Sequence, residues 1–164
     1  MADISDKSKT SQTVRQQLGN NGENFVASNL DCPKCLAHKS HVLLRSNTPC
    51  VDVVCQGCGV ESQVKSISLK KDWRMPSTVL GGSWKAKNQR IKDKGFSPYF
   101  FVFFDNRLVV SVLYLTDSAQ KLDYFKIRKP LSARAKSPGW TGYELKPREW
   151  ATELICIWGT DFHT

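Results

Sequence analysis

Apolar positions along the chain change period several times, and each change marks an element. From Thr13 to Leu30 they recur at helical spacing, with Phe25, Val26 and Leu30 on one side, which predicts a helix with a break near Gly19 to Gly22. HVLLR from His41 and CVDVVC from Cys50 alternate or run apolar like two strands of a hairpin, and ESQVKSISL from Glu61 alternates over a third. A loop ending in Gly81 and Gly82 leads into SWKAKNQRIKDKG. This reads as a helix with Ser83 as its N-cap, Trp84 and Ile91 facing inward and Gly95 as its stop. PYFFVFF and RLVVSVLYL predict strands around a turn at Asp105 and Asn106, and the first is apolar on both faces, as a central strand should be. ELICIW near the C-terminal end predicts one more strand.

No internal repeat or low-complexity linker interrupts this pattern. The expected fold is α/β, a mixed β-sheet flanked by helices, forming one domain over residues 13–164 behind a mobile polar tail at 1–12. A length of 164 residues suits one such domain with a real core. Charge sharpens the choice of partner: 24 Lys and Arg against 15 Asp and Glu give a net +9, a field that attracts polyanions and makes nucleic acid the leading partner class. A basic protein with no such ligand would show the same sum. No apolar run reaches the roughly 18 residues of a membrane span, and the start MADISDKSKTSQTVRQQ lacks the apolar core of a signal peptide. A cytoplasmic protein without a membrane partner is expected.

A reducing compartment directs attention to the six cysteines as metal ligands or nucleophiles rather than disulfides. Four form two pairs, Cys32 and Cys35 in CPKC, Cys55 and Cys58 in CQGC, with 19 residues between the pairs. This is zinc-ribbon spacing: each pair forms a tight knuckle, helped by Pro33 and Gly57, and two knuckles complete a tetrahedral thiolate site spanning residues 32–58. Four thiolates leave no position for water, so the zinc would be structural. Cys50 and Cys156 lie in apolar runs and are expected to be buried packing residues.

One residue resists the strand pattern. Asp52 interrupts a run of valines, and a carboxylate in a half-buried strand needs compensation. Strand alternation puts Glu61, Gln63, Lys65 and Ile67 on one face, and if that face meets Asp52 across a hairpin, Asp52 lies near Gln63 and Lys65. Such a group can hold a divalent cation against a phosphate, with Asp52 and Gln63 as oxygen ligands and Lys65 orienting or deprotonating the attacking water. An Asp52–Lys65 ion pair without catalytic meaning would satisfy the aspartate equally well. The short motif leaves both open.

The stretch PCVDVVCQGCGVESQVKS resembles the metal site of the zinc-containing PD-(D/E)XK catalytic domains of DpnI-like restriction endonucleases, in which a CxxC knuckle, an aspartate, a second CxxC and an ExK motif follow in this order. STVLGG at Ser77–Gly82, Arg90, the PYFFVF strand and RKPLSARAKSPGWTGYEL at Arg128–Leu145 extend the resemblance over roughly residues 20–158. It implies a metal-dependent DNA endonuclease acting on double-stranded DNA, with Asp52, Gln63, Lys65 and Glu61 catalytic, structural zinc on Cys32, Cys35, Cys55 and Cys58, and Mg²⁺, or Mn²⁺ in its place, on Asp52 and Gln63. The family glutamate is Gln63 here, and an amide oxygen is a weaker ligand for a hard cation than a carboxylate. Glu61 on the same strand face would supply the missing charge. Glu23 in GENFVAS is a second acid for an outer ligand role, though a solvated helix acid is the plainer expectation. The family also carries a winged-helix domain that reads adenine-methylated GATC sites. This sequence is expected to lack it, so neither target sequence nor methylation dependence carries over.

Charge and position suggest the DNA contacts. The helix from Trp84 to Lys94 offers Lys85, Lys87, Arg90, Lys92 and Lys94 to backbone phosphates, and the Pro-rich segment after it offers Arg128, Lys129, Arg134, Lys136 and Trp140, with Arg134 the leading choice. His38, His41 and His163 have no partners at ligand spacing. The alternative to a nuclease is a non-cleaving DNA-binding protein that keeps the fold, and Gln63 is the residue that separates the two. A bare zinc-ribbon module fits poorly with so long and patterned a chain after Cys58.

Overall fold

The structure, a computed structural model, describes residues 12–45 and 48–161. All but the last residue of the expected tail, and His163, lie outside the described residues. Helix α1 spans Val14–Asn29 and opens with a capping box: Thr13 Oγ1 accepts from the Gln16 amide, and Gln16 Oε1 accepts from the Thr13 amide at 2.9 Å. The break expected near Gly19 to Gly22 is absent. Gly22 instead lets the helix touch the sheet, since a Cβ there would stand 1.9 Å from Ser66 Oγ.

Strands β1 (His41–Leu43), β2 (Val53–Cys55) and β3 (Glu61–Ser68) form the expected antiparallel meander, with His41 opposite Cys55 and Val53 opposite Ser62. β4 (Val79–Ser83) and helix α2 (Trp84–Lys94) then carry the chain across to β5 (Tyr99–Asp105), which pairs parallel to β3. A parallel neighbour needs such a crossover. A hairpin with Asn106 in the left-handed region at φ 55° returns as β6 (Leu108–Leu115), and β7 (Phe125–Ile127), β8 (Gly142–Leu145) and β9 (Ile155–Gly159) complete the order. Six strands form a mixed sheet in the order β1-β2-β3-β5-β6-β9, and β4, β8 and β7 form a separate antiparallel sheet.

β5 is central, as its two-sided apolarity predicts. Phe100, Val102 and Phe104 face α1 and pack with Val26, Leu30 and Val64; Tyr99, Phe101 and Phe103 face the other way and pack with Tyr143, Leu145 and Trp150. α2 is capped by Ser83, whose Oγ accepts from the Ala86 amide, and stops at Gly95 with φ 78°. The stretch ending in Gly81 and Gly82, expected as a loop, is strand β4, and β7 and β8 were not marked by the sequence pattern. Gly81 passes directly under the Tyr143 ring, where a Cβ would meet ring carbons at 2.2 Å, so this strand is held by close packing rather than by apolar alternation. Among the described residues, no helix is long and apolar enough to cross a membrane.

Candidate active site and four-cysteine cluster

The first knuckle precedes β1 and the second joins β2 to β3. Both close in the same way: the Leu36 amide donates to Cys32 O and the Gly59 amide to Cys55 O, each at 2.8 Å, with Leu36 and Gly59 left-handed at φ 60° and 73°. Gly57 is required for room, because a Cβ there would lie 3.2 Å from Cys35 Sγ. The four sulfurs fall within 4.8 Å of one another, with Cys32–Cys58 at 3.8 Å and Cys35–Cys55 at 3.6 Å. Thiolates on a tetrahedral ion at ~2.3 Å stand ~3.8 Å apart, so the four can hold a metal and could form a zinc site. His38 is not part of it; it pairs with Asp31 at 2.8 Å on the surface. His41 is buried with Nδ1 3.4 Å from Leu30 O and its ring edge-on to Phe100, and burial lowers its pKa.

Asp52 lies one residue before β2, held in the ladder by its amide, which donates to Ser62 O at 2.9 Å, and by its carbonyl, which accepts from the Leu44 amide. Its carboxylate turns to the neighbouring strand, where Oδ2 accepts from the Val64 amide at 2.7 Å. The β2–β3 register brings Gln63 and Lys65 to the same side. Burial pushes the Asp52 carboxyl above its usual range, against the Val64 hydrogen bond and the charges of Lys65 and Lys87. Burial also pulls the Lys65 ammonium down, while Asp52, Cys50 and Glu23 pull it back up. No ion pair within 4.0 Å joins Asp52 to Lys65 among the described residues. Gln63 is buried, and its Oε1 accepts from the Tyr143 hydroxyl at 3.4 Å, itself 3.1 Å from the Tyr99 hydroxyl.

The two acids considered beside Gln63 part company. Glu61 is committed to α2: its Oε2 accepts from Arg90 Nη2 at 2.7 Å and lies 3.7 Å from Lys94 Nζ, and the Arg90 hydrogen bond lowers its pKa. Glu23 comes down from α1 into the field of the site. Burial first, then the Asp52 charge, raises its pKa, and Lys65 lowers it. Of the two, Glu23 is the acid whose charge couples to Asp52 and Lys65, and helix periodicity held the signal, since Glu23 follows the close-packed Gly22 and precedes the buried Val26 by three residues.

The basic residues also divide. Lys85 and Lys92 are exposed on α2, and Arg128, Lys129, Arg134, Lys136 and Trp140 are exposed on the segment between β7 and β8. That segment is closed by hydrogen bonds from the Arg128 amide to Gly142 O and from the Leu131 amide to Trp140 O, and it joins the start of α2 where the Trp84 amide donates to Thr141 O. Arg90 does not lie on the open stripe: beyond Glu61, its Nε donates to Ser97 Oγ at 2.7 Å. Lys87 is fully buried, with Nζ 4.6 Å from the Tyr99 ring centroid and 5.2 Å from that of Phe125. Its spacing from Trp84 and Ile91 had placed it on the apolar stripe of α2 all along. Cys50 is half-buried in a left-handed turn at φ 63°, not in a strand, and Lys87 and Arg90 lie in its field.

Among curated proteins, none matches the chain. One family model matches residues 3–151, a span that takes in the four cysteines, Asp52, Lys65 and every strand of the mixed sheet except β9. The chain belongs to that family, described as DpnI: Dam-replacing family, a restriction-type nuclease family that acts on DNA.

Proposed function

We propose that the protein is a metal-dependent endonuclease of the PD-(D/E)XK type that hydrolyses phosphodiester bonds in double-stranded DNA. The observation that carries this reading is the Asp52 carboxylate bonded to the Val64 amide between Gln63 and Lys65, with the charges of Lys65 and Glu23 bearing on it, in a chain of a restriction-type family. Oxygen donors from Asp52 and Gln63, with Glu23 behind them, suit a hard cation such as Mg²⁺ or Mn²⁺, and a half-buried carboxyl under strain from burial is the kind a cation would relieve. Bound there, the cation would polarise the phosphate and acidify a water. Lys65, its ammonium drawn down by burial, orients that water and can take its proton as the water oxygen attacks phosphorus. The P–O3′ bond breaks, and the leaving oxygen takes a proton from solvent. The Cys₄ cluster holds structural zinc and fixes the turn from which β3 begins. The reading takes residues 13–164 as one catalytic unit in the cytoplasm, a reducing compartment that keeps cysteines available as metal ligands.

The rim of Lys85, Arg128, Arg134, Lys136 and Trp140 would bind the duplex. A specific observation favours the second reading, a non-cleaving DNA-binding protein: outside the cysteines, no three His, Cys, Asp or Glu ligand atoms cluster tightly among the described residues, and position 63 is neutral. Nicking of adenine-methylated and unmethylated plasmid with Mg²⁺ or Mn²⁺ decides between them. Cleavage that Asp52→Ala and Lys65→Ala abolish while duplex binding persists supports the nuclease; no cleavage with either metal on either substrate leaves the binding protein.

A further inference from the structure

We infer that Lys87 is a phosphate-binding residue within the candidate active site, its ammonium taking a non-bridging oxygen of the scissile phosphodiester. Lysine is rarely buried unless paired, yet Lys87 has no exposed surface, and its Nζ has no hydrogen-bond partner among the described residues. Two ring faces, Tyr99 and Phe125, lie against it. Aromatic faces attract a cation but accept none of its three hydrogen bonds in the way an oxygen does.

The groups facing this ammonium say what is missing. Cys50 and Asp52 come from the turn before β2, Lys65 from β3, and Arg90 from its own helix. Arg90 is already paired with Glu61, so Asp52 is the one carboxylate among these groups, and its oxygens do not hydrogen-bond the ammonium. The ring beneath the ammonium is tied to the reaction centre, because the Tyr99 hydroxyl meets Tyr143 and Tyr143 meets Gln63. An anion entering beside Gln63 and Asp52 would meet the fields of Lys65 and Lys87, both of which act on Asp52. Phosphate chemistry fits: a diester oxygen carries the charge and accepts the hydrogen bonds that the protein does not supply.

The identity of the anion rests on the nuclease reading; the anion site itself does not. Two measurements on the full chain separate them. In the first, lysine side-chain NMR of the metal-free wild type is followed during titration with inorganic phosphate and with the dinucleotide d(TpT). A resonance that shifts with either ligand and is absent in Lys87→Met supports the site, while a Lys87 resonance indifferent to both overturns it whatever the enzyme does. In the second, single-turnover cleavage and duplex affinity are compared between wild type and Lys87→Met. A fall of about a hundredfold or more in rate, with affinity changed less than about threefold because the outer rim still binds, supports a role at the scissile phosphate. Wild-type rate in Lys87→Met overturns it and leaves Lys87 as packing. If wild type cuts no DNA while phosphate still moves the Lys87 resonance, the nuclease reading fails and the phosphate site stands.

Discussion

Replacing Lys87 by methionine should stabilise the protein, and only at pH values where the ammonium is charged. Burial lowers the Lys87 pKa to about 8, against an ordinary lysine value of ~10.4. Between those values the folded chain binds fewer protons than the unfolded one, so stability rises with pH across the window. The cost is fully present below pH 8 and gone above about pH 10.4. At ~1.4 kcal/mol per unit, the buried charge costs the fold about 3 kcal/mol near neutrality. Methionine fills nearly the same stem volume in an aromatic seat, and sulfur contacts with Tyr99 and Phe125 replace part of the lost cation–π attraction. A net gain of about 2 kcal/mol remains, or ~4–8 °C in Tm for a chain of this size. Urea unfolding of wild type and Lys87→Met in zinc-replete buffer at pH 7 and pH 10.5 measures it. The variant should be the more stable at pH 7 and lose most of that advantage at pH 10.5. A variant destabilised equally at both pH values would refute the reasoning, because Lys87 would then contribute to packing more than its charge costs.

Other outcomes follow from the same contacts. Cys32→Ser or Cys58→Ser should lose the one equivalent of zinc measured by elemental analysis and lower stability strongly, since apparent binding in structural thiolate sites reaches on the order of 10 kcal/mol; a folded, metal-free wild type would contradict this. Gly81→Ala should cost ~1–3 kcal/mol in urea unfolding, because its Cβ would meet the Tyr143 ring at 2.2 Å. Lys85→Ala with Lys92→Ala should reduce the slope of log affinity against log salt by about 1 to 2 for any duplex. Arg90→Ala should instead act on stability by leaving Glu61 half-buried without its closest partner.

The legible parts of the fold were those in which local chemistry and tertiary packing agree. α2 announced itself through Ser83, Trp84, Ile91 and Gly95, and β5 through a run that is apolar on both faces because both faces are covered. The cysteine spacing found the cluster because two knuckles impose it. What stayed hidden depends on partners far along the chain. β4 and β8 are strands because Gly81 admits the Tyr143 ring and Leu80 pairs with Glu144, and neither residue shows this in its own segment. Charge does not give exposure at Lys87 and Arg90: one lies on the apolar stripe of α2 and the other reaches back to Ser97 and Glu61. The pairing of Glu61 with Arg90 was hidden for the same reason, since strand alternation gives the face a side chain leaves from but not the helix waiting to bind it.

That pairing fixes how the amide at position 63 should be tested. With Glu61 neutralised by Arg90, the charges bearing on the site are Glu23 and Asp52 against Lys65 and Lys87, a balance near zero where a divalent cation favours an excess of carboxylate. Gln63→Glu and Lys87→Met each shift that balance by one negative charge, so on electrostatics alone both should lower the Mg²⁺ concentration for half-maximal activity, by about tenfold for each 1.4 kcal/mol gained. Their rates should nevertheless diverge. Gln63→Glu adds a ligand and leaves both ammonium groups to meet the phosphate, so its rate at saturating Mg²⁺ should hold or rise; Lys87→Met removes one of those groups, so its rate should fall. Glu23→Gln should raise the Mg²⁺ requirement and Gln63→Glu should largely restore it, whereas Glu61→Ala should leave that requirement within about threefold and lower stability instead. Should Glu61→Ala raise the requirement as much as Glu23→Gln, the Arg90 pair would be breaking when metal enters, and Glu61 would be the compensating ligand after all.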